Sequence, residues 1–180
     1  MLLGYRYEHA RDCLEKGELD KANKGFRVIL REDKDFVPAY LGIAEVMLRE
    51  GEGDDAVNLL EAGYEQTASH IILARIEDML INLGEPSRLI KIYRNAISRE
   101  PGNSMLRFFL GKLYFRLEMI DDAFETLSYP DMADSYAEMY QLLAELYIRR
   151  NQFERAVAEF KKSINIKKTV KLPYYCGGCG

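Results

Sequence analysis

Turn residues recur along this chain at a nearly constant interval. Gly17, Gly51, Gly84, Glu118 and Asn151 stand 34, 33, 34 and 33 residues apart. Three further columns keep the same phase. Five residues on lie Ala22, Ala56, Leu89, Ala123 and Ala156. Four more along come Phe26, Leu60, Tyr93, Leu127 and Phe160, and eight before each turn stand His9, Ile43, Ile76, Leu110 and Leu143. A period of this length, held through five copies, restricts the fold to a row of like units, each packed on its neighbours.

Within each copy the apolar residues fall at helical spacing on both sides of the turn. In the fourth, Leu106, Leu110, Leu113, Tyr114 and Leu117 mark one helix, and Ala123, Phe124 and Leu127 a second. Asp121 and Asp122 open that second helix, where carboxylates suit the positive end of its dipole. Pro101, Gly102 and Asn103 close the third copy, because proline cannot continue a helix and glycine accepts left-handed dihedrals. Each unit is therefore a pair of antiparallel helices. The columns resemble the tetratricopeptide repeat (TPR), with Leu110-Gly111, Tyr114 and Ala123 the closest fit and Tyr93, Ala96 and Pro101 filling later positions. The resemblance implies an all-α, right-handed superhelical solenoid over 1–170, with about five repeats at 3–36, 37–69, 70–103, 104–136 and 137–170. Glu77 stands where a small residue lets paired helices approach, tryptophan is missing, and Tyr129-Pro130 is expected to cut the fourth second helix short.

Composition narrows the function classes. The longest apolar runs are a few residues, far short of the ~20 that span a bilayer. Met1-Leu2-Leu3 runs straight into Gly4, Tyr5 and Arg6, so no signal-peptide core and a soluble, cytoplasmic chain are expected. Net charge is −4 with a pI near 5.4, and five lysines with no acid in the last 20 residues put the acidic excess earlier. Nucleic-acid partners are not expected, since such binding rests on basic surface. Three cysteines make no disulfide framework and point to a reducing compartment.

The stretch 171–180 leaves the repeat and carries Cys176 and Cys179 in a CxxC. Two thiolates at this spacing can converge on one tetrahedral metal, with zinc or iron the usual occupants. A closed site takes four ligands, so the chain alone leaves it incomplete. Three readings stand: half of a zinc ribbon or rubredoxin-like knuckle, a four-sulfur site shared by two chains in a homodimer, or a thiol redox pair or inert tail. A redox CxxC normally opens a helix in a βαβ context, which is not found here. Cys13, in the first repeat, reads as a buried small hydrophobe.

TPR columns at 37–129 followed by the Tyr174-to-Gly180 knuckle resemble the lipopolysaccharide assembly protein B (YciM) family. The resemblance implies a bacterial adaptor on the cytoplasmic face of the inner membrane, with an N-terminal anchor and a C-terminal rubredoxin-type metal domain. It further implies a regulator of lipopolysaccharide synthesis whose partners are a membrane AAA+ protease and the lipid A deacetylase that the protease degrades. Cys176 and Cys179 match the first two of that family's four metal-ligand cysteines. The anchor and the second cysteine pair do not occur in this sequence, so it reads as a fragment. The alternative is a generic TPR interaction module of a larger bacterial assembly, with no role for the CxxC.

In a TPR stack the first helices line the concave groove, the expected seat of a protein or peptide client. Its side chains here are Tyr7, Arg11, Leu41, Glu45, Arg49, Asp78, Asn82, Phe108, Lys112, Arg116, Gln141, Glu145 and Arg149. Arg49, Lys112, Arg116 and Arg149 suit an acidic peptide, and Phe108 an aromatic anchor. Tyr7, Arg11 and Gly42 occupy the places of the Lys/Asn carboxylate clamp, which is therefore missing. Lysines 161, 162, 167, 168 and 171 read as helix-end charges or as a contact for anionic surfaces. His9 and His70 sit at repeat-boundary or inward positions with no serine or cysteine partner expected nearby. Asp54-Asp55 and Asp121-Asp122 read as helix starts, and no phosphate loop occurs, so an enzyme is not expected.

Overall fold

The computed structural model describes residues 2–129 and 137–169, with side-chain surroundings through residue 165. Among them all regular structure is helical: α1 (Leu2–Glu15), α2 (Leu19–Glu32), α3 (Val37–Glu50), α4 (Gly53–Thr67), α5 (His70–Leu83), α6 (Pro86–Arg99), α7 (Ser104–Arg116), α8 (Ile120–Leu127), α9 (Ala137–Arg149) and α10 (Phe153–Thr169). Two helices fall in each period of the sequence. The chain divides into two compact units, Met1–Ile92 and Tyr93–Gly180.

Each hairpin turns the same way because its turn column is left-handed. Gly17, Gly51 and Gly84 have φ of 75°, 83° and 74°, and Glu118 and Asn151 both sit at 58°. The amide of each donates back to the carbonyl three residues earlier, and the next amide reaches the carbonyl five residues before it. Gly51 N–H to Leu48 O (3.1 Å) and Glu52 N–H to Met47 O (2.8 Å) are one example; Glu118 to Phe115 (3.1 Å) and Met119 to Tyr114 (2.9 Å) are another. These paired bonds satisfy carbonyls that a helix end leaves open.

In the first unit Ala10, Cys13 and Leu14 of α1 pack with Ala22, Phe26 and Ile29 of α2 and with Ala39, Ile43 and Val46 of α3. Each large side chain removed from water contributes roughly 1.5–3 kcal/mol. Tyr7 meets the rings of Phe26 and Phe36 at 5.9 and 5.6 Å. Gly42 gives Phe26 its seat, since a Cβ there would fall 2.5 Å from the ring. Glu77 is half-buried on α5. His9 departs from its column: Ile43, Ile76, Leu110 and Leu143 are buried, whereas His9 is exposed, since its outward side of α1 carries no packed helix among the described residues.

His9 also corrects the expectation that neither histidine has a cysteine nearby, for its Nδ1 lies 3.9 Å from Cys13 Sγ one helical turn away. The thiol is buried with the core, and a nucleophilic thiolate needs access, so the contact is one of packing.

In the second unit the side chain of Asn103 accepts from the amides of Met105 (3.1 Å) and Leu106 (3.3 Å) as the cap of α7. Leu106, Leu110, Leu113 and Tyr114 of α7 are buried, with Ala123 and Leu127 of α8. α8 holds 8 residues where α4 holds 15 and ends just before Tyr129; Pro130 lies outside the described residues. In α9 and α10, Met139, Leu143, Ala144, Leu146 and Ala156 are buried.

Candidate protein-binding faces

The first-helix positions that repeat with the period carry mostly charged side chains, and the structure pairs those charges within the chain. In the first unit Arg11 bridges Glu8 (2.6 Å) and Glu15 (3.5 Å) along α1. Arg49 donates to Glu45 (3.1 Å) and to the carbonyl of Leu14 (2.8 Å), so it ties α3 to the end of α1. Glu45 also receives Arg75 of α5 at 3.2 Å. Asn82 is exposed on α5. Tyr7 is placed differently, half-buried against the core rings.

In the second unit Lys112 of α7 bonds Glu138 of α9 at 2.7 Å. Arg149 pairs with Glu118 and Glu145, and its guanidinium lies 4.8 Å from the centroid of the Phe115 ring. Arg116 is exposed at the end of α7. Phe108 is 5% exposed, against Phe109 and under Lys112, whose Nζ is 5.9 Å from its ring. It is a core residue with one edge toward the lysine, so the aromatic at this face is Phe115, half-buried beneath Arg149.

A second feature of this unit was not foreseen from the sequence. A cleft of about 330 Å³ lies between the end of α6, α7 and the short α8. Arg94 donates from Nε to Tyr114 Oη (2.9 Å), and Arg107 stacks 3.8 Å over the Tyr129 ring while bonding the carbonyl of Pro101 (3.0 Å). α8 ends at Leu127 on one side of this cleft, next to the Tyr129-Pro130 pair that the sequence marks as a break.

Of the lysines near the C-terminus, Lys162 pairs with Glu159 at 2.8 Å, which raises its pKa above the usual lysine value. The side chains of Lys167, Lys168 and Lys171 lie outside the described set, as do Cys176 and Cys179 with all of 170–180. Among the described residues no group of three or more His, Cys, Asp or Glu could hold a metal ion. No helix among them is long and apolar enough to cross a membrane.

Comparison with known proteins fits this geometry. The SHNi-TPR family model matches residues 137–173. The chain is 24% identical over 168 residues to the Protein CTR9 homolog of Arabidopsis thaliana, covering 88% of this chain and 15% of that protein's length. Among solved structures, MamA 41-end from Desulfovibrio magneticus RS-1 superposes with a TM-score of 0.60 at 14% identity, over 94% of this chain and 97% of the other. YrrB, a TPR protein with an unusual peptide-binding site, superposes at 0.55 with 17% identity over 92% and 86%. The fold is that of the tetratricopeptide repeat.

Proposed function

We propose that this TPR protein works as an adaptor that holds a protein or peptide client on its first-helix faces. The observation that carries the reading is the set of exposed, self-paired charges at the period-repeated positions: Arg49 with Glu45, Lys112 with Glu138, Arg149 with Glu118 and Glu145. Exposed ion pairs contribute only about 0–1 kcal/mol each. A client carboxylate can therefore replace Glu138 or Glu145 at little cost and inherit a cation already held in place. Phe115 beneath Arg149 adds an apolar floor for a neighbouring client side chain.

The finer reading follows the YciM-type resemblance. The client is the lipid A deacetylase, and a membrane AAA+ protease is the second partner, with the chain acting at the cytoplasmic face of the inner membrane. Cys176 and Cys179 supply two of the four thiolates of a zinc or iron site. What supports this reading is the CxxC directly after the last repeat.

Binding of the purified deacetylase and protease to the immobilised full chain tests both levels. The parent is expected to retain the deacetylase, and Arg116→Glu/Arg149→Glu to reduce retention about 10-fold, roughly the effect of two lost charge contacts. Retention that ignores the double reversal moves the site off α7 and α9. A parent that binds neither protein ends the lipopolysaccharide reading. If Cys176→Ser/Cys179→Ser changes nothing, the generic interaction module without a role for the CxxC replaces it.

A further inference from the structure

The first and the last described helices differ in the positions that the other helices bury. On α1 the positions that inner first helices bury are partly polar: His9 and Asp12 stand where Ile43 and Val46, Ile76 and Met79, Leu110 and Leu113, or Leu143 and Leu146 are buried. Polar residues at these positions suit a face on which no further helix packs. α10 does the opposite. Phe153, Val157, Phe160 and Ile164 are 59%, 52%, 39% and 52% exposed. At the same phase in α4, Val57, Leu60 and Tyr64 are 0%, 0% and 7% exposed, where α5 packs on that helix. α10 thus presents an interior-type face to water.

The spacing of that face says what fits it. Phe153, Val157, Phe160 and Ile164 are separated by 4, 3 and 4 residues, the seam of a two-helix coiled coil rather than the broader stripe of a globular helix. On one side of the seam Ala156 and Ser163 are 2% exposed within the hairpin. On the other side Glu154 and Lys161 are exposed, and neither is ion-paired among the described residues. If a second α10 lies antiparallel across the seam, Val157 meets Phe160 of the other copy and Phe153 meets its Ile164. The same two-fold sets Glu154 beside Lys161 of the other copy, twice. A parallel arrangement would set each of these charges beside Ala156 or Ser163 and leave it without a partner.

We propose that the apolar face of α10 is a self-association surface, occupied by α10 of a second copy of this chain in an antiparallel, two-fold pairing. It is independent of the client-binding faces and of any metal at the CxxC. Such a two-fold interface is self-complementary by construction, and here both the apolar layers and the charges satisfy that condition.

Sedimentation equilibrium of the full chain, with and without a chelator, tests this. A monomer–dimer equilibrium is expected, with Val157→Lys raising the dimer dissociation constant about 30-fold or more, the effect of losing an interface hot spot, at unchanged helicity. Glu154→Lys is expected to raise it roughly 3-fold through two like-charge contacts, and Glu154→Lys/Lys161→Glu to restore it. A parent that stays monomeric overturns the proposal and leaves the face to residues 170–180 or to another protein. A dimer that ignores Val157→Lys and falls apart with chelator also overturns it, in favour of a shared four-sulfur site. A dimer sensitive to Val157→Lys but not rescued by the charge exchange overturns the antiparallel register.

Discussion

Gly111 of α7 lies against the side chain of Leu127 in α8, so close that a Cβ on Gly111 would fall 2.5 Å from Leu127 Cγ and Cδ2. Both partners are buried; Leu127 belongs to the column of Phe26 and Leu60, and Gly111 holds the place that Glu77 takes one repeat earlier. The close approach of the two helices of this hairpin depends on the missing methyl group. Gly111→Ala is expected to destabilise the fold by about 1–3 kcal/mol through overpacking. Gly102→Ala, where nothing lies within 4 Å, is expected to stay within about 0.5 kcal/mol of the parent. Urea denaturation of both variants checks this, and equal midpoints would show that α7 and α8 can spread without loss.

The left-handed turn column gives a prediction of opposite sign at two of its members. Gly51 has φ of 83° and open space around its Cα, so Gly51→Ala meets no clash and suffers only the backbone penalty, about 1 kcal/mol. Glu118 holds φ of 58° with a Cβ in place. Glu118→Gly is expected to gain about 0.5–1 kcal/mol from the backbone, less whatever the exposed pair with Arg149 contributes. Thermal unfolding should therefore move down for the first variant and hold or rise for the second. A fall in both would mean that the Glu118–Arg149 pair matters more than the dihedral.

These turns also show why the architecture was readable from the chain. A left-handed residue selects glycine or asparagine, and the methyl-sized columns after it select alanine, so the period is written in residue types that backbone geometry demands. Glu118 is recognisable only through the spacing of its neighbours. The binding faces were less readable. α7 carries apolar residues nearly all the way round, including Met105, Leu106, Phe108, Phe109, Leu110, Leu113 and Phe115, so periodicity does not tell which aromatic is left at the surface. Phe108 was expected at the groove and is buried, while Phe115 lies beneath Arg149. The ion pairs joining successive first helices span 26 residues for Lys112 with Glu138 and 30 for Arg75 with Glu45 and have no local signature. The cleft beside Arg107 is lined from α6, α7, α8 and Tyr129, residues scattered over three helices with no spacing that marks them as one site.

Tyr40 gives a pH dependence. Burial, and then the carboxylate of Asp35, raise its phenol pKa above the usual value near 10, and its hydroxyl donates to the Lys34 carbonyl at 3.1 Å. The folded state thus holds this proton more tightly than the unfolded chain. The resulting stability is fully present below the unfolded pKa and is lost as pH rises through the higher folded value. Tyr40→Phe is expected to cost about 1 kcal/mol at pH 8, the loss of one hydrogen bond. Its deficit against the parent should shrink between pH 9.5 and about 11. Urea midpoints across that range test it, and a constant deficit would refute the assignment.

Arg88 ties the start of α6 to α4. Its Nε donates to Glu61 at 3.0 Å and its Nη2 to Asn58 at 2.7 Å and Glu61 at 2.8 Å, with Asp54 and Glu85 each at 3.8 Å. An isolated surface pair contributes little, but a guanidinium fork on one carboxylate, half-buried among further acids, keeps its geometry and forms a network. A lysine offers the charge without the fork. Arg88→Lys is therefore expected to destabilise by about 1 kcal/mol, and Arg88→Met by about 1–2 kcal/mol, the larger value because three acids are left without their cation. Exposed charge terms are screened within about 3 Å at 1 M salt, so the Met deficit should narrow there while the Lys deficit, a matter of geometry, holds. Paired urea titrations at low and high salt distinguish the two. If the lysine variant matched the parent at both, the link between α4 and α6 would rest on charge alone, and the fork would have no part in it.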